Sequence, residues 1–226
     1  MLRLGGIAMA VGVGAMLAIP AFADKGIEDL SEKLVQVKTV YSELLVVPDH
    51  ALPEALLKDC QCIAVIPHAM KGALGYGARF GSGAMSCRTD SGWSTPSFVK
   101  LSGGSVGLQI GAESSDLVLF FMNHNGAKSL LTGSKVTLGG NASVAAGPFG
   151  RSGEAGTDLK LNAEIYSYSK SKGLFAGVSF EGARLAAGTE WNTLYYGPGV
   201  TVKKLLFEPS DMSIPAPAED FRRTLP

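Results

Sequence analysis

Three histidines and three cysteines are the side chains of this sequence best suited to metal binding or nucleophilic chemistry. His50, His68 and His124 stand singly, with no His-Glu-x-x-His pattern and no cluster with cysteine, so they offer zinc no ligand set. Cys60 and Cys62 form a Cys-x-Cys pair without further ligands at metal spacing. In an oxidising compartment, Cys87 is expected to pair with either Cys60 or Cys62, leaving one thiol over. Ser105, in Gly103-Gly104-Ser105-Val106-Gly107, matches the Gly-x-Ser-x-Gly pattern of a hydrolase nucleophile. That chemistry needs a strand before the serine and a helix after it. Leu108-Gln109-Ile110-Gly111 instead continues as strand. Gly75-x-Gly77 with Gly81 misses the dinucleotide spacing, and Lys128-Ser129 after Gly126 lacks the upstream glycine of a phosphate loop. The expectation is a protein that binds without catalysing, with no metal and no cofactor.

The residues suited to binding lie elsewhere. Tyr168-Ser169-Lys170-Ser171-Lys172-Gly173-Leu174-Phe175 places two lysines at a turn with aromatic rings beside them. Lys170 and Lys172 would meet anionic headgroups, with Phe175 and Tyr168 at the acyl boundary. The bland alternative is a solvated hairpin tip with one buried ring. Arg151, in Gly147-Pro148-Phe149-Gly150-Arg151, is a second candidate for an anion, or else a loop pin paired with Glu154 or Asp158.

Elements must position these residues. In 25–45, Ile27, Leu30, Leu34, Val37, Tyr41 and Leu44 recur every three or four residues, an apolar stripe along one helix. Its polar face mixes Glu28, Asp29, Glu32 and Glu43 with Lys25, Lys33 and Lys38, which favours core packing over adsorption to anionic lipid. A short helix follows Pro53. Cys62-Ile63-Ala64-Val65-Ile66-Pro67 reads as a buried strand bounded by proline. Further strands are expected at 77–88, 97–101, 105–112, 116–122, 135–145, 159–169 and 174–181, with period-two alternation around 160–167 and a hairpin turn at Ser171-Lys172-Gly173. Helices are expected at 125–131, 189–196 and 218–225.

Composition bounds the class. Hydrophobic residues make up 46% and charged residues 18%, enough for a core and too apolar for disorder. Twenty basic side chains balance twenty acidic ones, so no field gathers nucleic acid. The 29 glycines, without a Gly-x-y period, suit bends and close backbone approach in a curved antiparallel sheet. Arg3, the uncharged run 4–19, Pro20 and Ala21-Phe22-Ala23 read as a signal peptide cleaved after Ala23. The run falls short of the roughly 20 residues needed to span a bilayer. The expected organisation is a signal peptide at 1–23, an α+β domain at 24–207, and a Pro-rich linker with a short helix at 208–226. Localisation is expected in the periplasm or cell envelope.

Three stretches together closely resemble the SYLF domain: Asp116-Leu-Val-Leu-Phe-Phe-Met-Asn123, Gly139-Gly-Asn-Ala-Ser-Val-Ala-Ala-Gly-Pro-Phe-Gly-Arg151, and 166–182, which begins Tyr166-Ser-Tyr-Ser-Lys. Tyr195-Tyr196-Gly197 fits the same pattern, and the likeness covers 24 to the C-terminal helix. The resemblance implies a lipid-binding module, since eukaryotic SYLF proteins bind phosphoinositides and work with actin at membranes. For an exported member it implies a phospholipid or other anionic lipid as partner and a membrane surface as its place of action. The fold expected is α+β, with N-terminal helices packed on a strongly curved, glycine-rich, largely antiparallel β-sheet, open or closed as a barrel. The rivals are a structural or protein-interaction module of the envelope, and a hydrolase using Ser105.

Overall fold

A strand of 25 or more residues would normally run far out of a small protein; here one turns back until its ends touch. The computed structural model describes residues 19–46, 52–131, 133, 135–148, 163–178, 181–208 and 212–226. Helix α1 (Ile19–Leu45) and α2 (Glu54–Asp59) precede β1 (Cys62–Thr89), β2 (Gly92–Trp93) and β3 (Ser97–Phe121). Then come α3 (Asn125–Leu131), β4 (Val136–Thr137), β5 (Val144–Ala146), β6 (Ile165–Ser171), β7 (Leu174–Gly177) and β8 (Ala183–Ala187). Helices α4 (Thr189–Tyr196), α5 (Val202–Leu206) and α6 (Ala216–Thr224) complete the order.

Strands β1 and β3 form one long antiparallel ribbon, from Cys62 opposite Phe121 to Met85 opposite Ser97. Cys62 and Cys87, 25 residues apart, are joined by a disulfide with their Cα atoms 3.9 Å apart. An extended strand of that length would span roughly 80 Å at ~3.3 Å per residue, so the ribbon has curled through a full reversal. Backbone seals the closure, with the Arg88 N–H donating to the Gln61 carbonyl at 2.7 Å. Gly83 makes it possible: a Cβ there would stand 1.8 Å from the Val65 carbonyl oxygen. The remaining strands extend the ribbon. β6 pairs with the second half of β3, β8 with its first half, β7 with β6, and β4 with β8, all antiparallel. Among the described strand pairs, β5 against β6 alone is parallel. The result is an α+β half-barrel.

Each face of the curled sheet buries a core. Leu34, Val37, Tyr41 and Leu44 of α1 pack with Ile63, Val65, Phe98, Phe120, Tyr168 and Phe221 on one side. Cys62, Ile66, Cys87, Leu117, Leu119 and Phe121 meet Leu130 of α3 and Leu206 of α5 on the other. The α1 stripe therefore packs on the core from Leu30 to Leu44, as its mixed-charge polar face suggests, while Ile27 at its start is exposed. Residues 160–162 of the predicted alternation lie outside the described residues, and at its described end burial on both faces removes it: Ile165, Tyr166 and Ser167 are all buried, as are Tyr168 and Ser169.

Several boundary expectations are corrected: the strand expected at 135–145 is two short strands, β4 and β5, and the one expected at 77–88 is part of β1. Pro67 does not end its strand, because it sits in a register shift between Ile66 and Ala69, where a missing N–H is tolerated. His68, at φ 51°, completes that bulge, and its N–H donates to Asp116 Oδ1 at 2.9 Å. The strands expected at 97–101, 105–112 and 116–122 fuse into the single β3. By contrast, α3 and α4 span the residues read from the sequence, and Lys172 and Gly173, both at positive φ, form the expected hairpin turn. Cys60 remains a buried free thiol pushed up to about 11 by burial, so it is protonated and inert.

Candidate functional site

The hairpin β6–β7 carries the lysines singled out from the sequence, and the fold separates their roles. Tyr168 is fully buried, stands edge-on to Phe120 at 5.6 Å, and donates its hydroxyl to the Pro148 carbonyl at 2.8 Å. Burial raises its phenol above the ordinary range, so it stays neutral. Phe175 is also in the core. Lys170 lies 5.7 Å from the centre of the Phe175 ring and is paired with Glu43 of α1 at 2.6 Å, so it fastens helix to sheet. What the tip offers to solvent is Lys172 and Leu174, the latter 77% exposed. Arg151 lies outside the described residues. Tyr168 and Phe175 thus have no ring at the surface, and Leu174 is the exposed apolar side chain there.

A second surface gathers residues that no motif linked. Where the ribbon crosses beneath α1 and α4, a groove of about 560 Å³ is lined by Met70, Phe80, Leu101 and Trp191, with Lys33, Lys100, Lys135 and His68 among its polar members. Phe80 is 57% exposed, a large ring left in water in a groove that three lysines also line. Lys100 sits 4.1 Å over the Trp191 ring and is ion-paired with Glu190. The hydrogen bond from Lys100 holds the Glu190 carboxyl below its usual range. Lys33 donates to Gln36 Oε1 at 3.1 Å. The position of α4 is set by Asn192, which is buried, accepts the Phe98 N–H at 2.8 Å and donates to Ser97 Oγ at 2.9 Å. This pair satisfies a buried backbone donor and holds Trp191 at the groove wall.

Comparison with known proteins decides the family. A family model described as the Ysc84 Las17-binding protein actin regulator matches residues 102–226. LAS seventeen-binding protein 3 of Saccharomyces cerevisiae is 39% identical over 175 residues, 76% of this chain and 37% of the yeast protein. The chain belongs to the Ysc84, or SYLF, family. Its human relative, SH3 domain-containing YSC84-like protein 1, is 37% identical over 179 residues, covering 79% of this chain and 52% of that protein. The chain thus spans between about a third and about half of these relatives' lengths. The relatives of this Ysc84-family chain are named as binding and SH3-containing proteins, not as enzymes.

The hydrolase reading of this Ysc84-family chain meets a contrary backbone. β3 runs unbroken through Ser105, opposite Gly77, and no helix follows it, so the strand-to-helix elbow is missing. Among the described residues no group of three or more histidine, cysteine, aspartate or glutamate side chains could hold a metal ion. The groove residues escaped sequence reading because Lys33, Phe80, Lys100, Lys135 and Trp191 come from five separate elements or connections. The one available signal was Phe80, a phenylalanine between Arg79 and Gly81 in a strand otherwise poor in rings.

Proposed function

We propose that this protein binds anionic phospholipid surfaces peripherally, through the groove between the ribbon, α1 and α4, and does so without catalysis. One observation carries the reading: Phe80, more than half exposed, stands with Met70 amid Lys33, Lys100, Lys135 and His68. Exposed apolar surface flanked by cations suits an interface whose outer layer is anionic and whose interior is acyl. Ring insertion supplies the apolar term, and each lysine near an anionic surface adds on the order of 1 kcal/mol. Lys172 and Leu174 at the hairpin tip supply the same combination on a smaller scale. Residues 3–23 are read as a cleaved leader, and export to the periplasm or envelope is part of the proposal.

The test is vesicle co-sedimentation at low ionic strength, comparing phosphatidylglycerol with phosphatidylcholine. Binding is expected to phosphatidylglycerol vesicles and to weaken with salt. Phe80→Ser, or Lys33→Glu with Lys135→Glu, is expected to weaken it at least tenfold. Indifference of the wild-type protein to anionic vesicles overturns the reading. A protein-interaction role is the second reading, favoured by the relatives' names as Las17-binding and SH3-containing proteins. Capture of an envelope protein that is unaffected by Phe80→Ser and by lipid would favour it.

A further inference from the structure

The groove does not end at Trp191. A slot of about 260 Å³ continues from it, sharing Lys33, Ser82 and Trp191, and runs between α1 and α4. Its walls are Leu30, Phe98, Trp191 and Leu194, with Gly26 at α1. Its polar members are Asp29, Lys33 and Ser82. Such a lining, apolar with a few polar groups, resembles that of a ligand site, in a half-open space sized for part of a lipid.

The walls are built to stay in place. Gly188 allows Trp191 to lie close to β3, since a Cβ there would be 2.8 Å from Trp191 Cε3 and 3.3 Å from the Phe98 carbonyl oxygen. The Gly188 N–H donates to that same carbonyl at 2.8 Å, and Asn192 fastens the next turn. Gly26 and Leu194 meet in the wall of the slot, since a Cβ on Gly26 would come within 3.0 Å of Leu194 Cδ2, so a larger residue at position 26 would displace Leu194 toward the space. The Trp191 ring therefore borders both spaces, with the Lys100 ammonium against it and the slot beside it.

We infer that the slot receives one acyl chain of an anionic lipid, with the headgroup held at the groove by Lys33, Lys100 and Lys135. The lipid leaves the bilayer plane by one chain, so the protein holds a single molecule and does more than rest on the surface. The charge of the groove mouth selects the occupant: three lysines line it, of which Lys100 is already ion-paired with Glu190, and the His68 ring lies 3.6 Å from Asp116 Oδ1, so the charge offered to a headgroup is chiefly that of Lys33 and Lys135. The inference rests on the anionic-lipid reading above for its headgroup, and on the slot alone for its chain.

The experiment uses the full chain and monomeric lysophosphatidylglycerol below its aggregation concentration, followed by calorimetry and by Trp191 fluorescence. Trp93, whose indole donates to the Pro226 carbonyl in another part of the molecule, gives a constant background that Trp191→Phe isolates. Saturable binding at one site is expected. Glycerol phosphate, the head alone, and dodecyl maltoside, a chain without charge, are expected to bind at least tenfold more weakly. A nitroxide carried on the chain should quench Trp191. Gly26→Leu and Leu194→Trp fill the slot and are expected to lower lysolipid affinity at least tenfold while leaving vesicle binding within threefold. Leu194 is 38% exposed, so its variant is compatible with folding should Gly26→Leu not be. If filled-slot variants bind the lysolipid as the wild type does, or if the wild type binds vesicles and no monomer, the slot assignment is overturned and surface binding stands. If the wild type binds neither, both fall.

Discussion

Lys170 Nζ lies 2.6 Å from Glu43 Oε2, tying the β6–β7 hairpin to the last turns of α1 across 127 positions of sequence. The lysine is the more enclosed partner, its side chain 22% exposed against 44% for the glutamate. Such a half-exposed pair contributes modestly, about 1 kcal/mol or less. Lys170→Met is expected to lower unfolding stability by no more than that and to leave vesicle binding within twofold. Lys172→Glu, at the exposed turn, should show the reverse: unchanged stability with measurably weaker vesicle binding. Urea titration and co-sedimentation on the two variants separate the roles. A large loss of binding in Lys170→Met at unchanged stability would return that lysine to the headgroup site.

The Cys62–Cys87 disulfide closes a 25-residue loop over the whole curl of β1. In the chain-entropy account a loop of this length contributes about 3–4 kcal/mol by restricting the unfolded chain. Paired replacement, Cys62→Ala with Cys87→Ala, is expected to lower stability by about that amount with Cys60 retained. Thiol titration of the denatured wild type should find one free sulfhydryl before reduction and three after. A wild type with three free thiols would contradict the pairing.

Gly83 faces the Val65 carbonyl with no room for a methyl group. Gly83→Ala should cost at least about 3 kcal/mol, because relief requires moving one arm of the ribbon away from the other and reopening both cores. Gly92, with open space around it but φ at 107°, should respond differently when changed to alanine. There the cost is backbone strain alone, about 1 kcal/mol. Thermal melts of the two variants give the order, and similar shifts would argue against direct contact of the arms.

Glu219 is gripped by two guanidinium groups, Arg222 through two hydrogen bonds at 2.7 and 2.9 Å and Arg223 through one at 2.8 Å. The Arg222 hydrogen bond is the chief cause that lowers its carboxyl to about 2, against an ordinary value of 4.5. A depressed folded-state value means the contribution is complete above the unfolded value and disappears as pH falls through the folded one. Stability attributable to α6 is therefore expected to decline between about pH 4.5 and 2. Glu219→Gln should flatten that part of the acid profile measured by urea titration. An unchanged profile would show that Glu219 is already free in solution.

Much of this architecture was written locally. The three-and-four spacing from Leu30 to Leu44 marks the buried face of α1, because a helix repeats every 3.6 residues whatever it packs against. Helices α3 and α4 and the Lys172-Gly173 turn were legible for the same reason, since their signals lie within a few residues of the elements they specify. The cluster at 168–175, expected from the sequence to contact lipid, was legible only as composition. Hydropathy cannot tell a ring beside a membrane from a ring in a core, and burial of Tyr168 follows from β3 on one side and the 147–148 segment on the other.

The sequence by itself determined the α+β class, the glycine-dependent curvature, the α1 core stripe and the SYLF kinship, because propensity, periodicity and motif are properties of neighbours in the chain. The tertiary structure alone decided which cysteine pairs with Cys87, that Lys170 is a fastener for α1, and that Lys33, Phe80, Lys100 and Trp191 share one groove. Those outcomes depend on how far the β1–β3 ribbon curls. Two register irregularities and the close approach at Gly83 accompany that curl, and although the glycines announce curvature, none of these features leaves a periodic trace that would fix its extent.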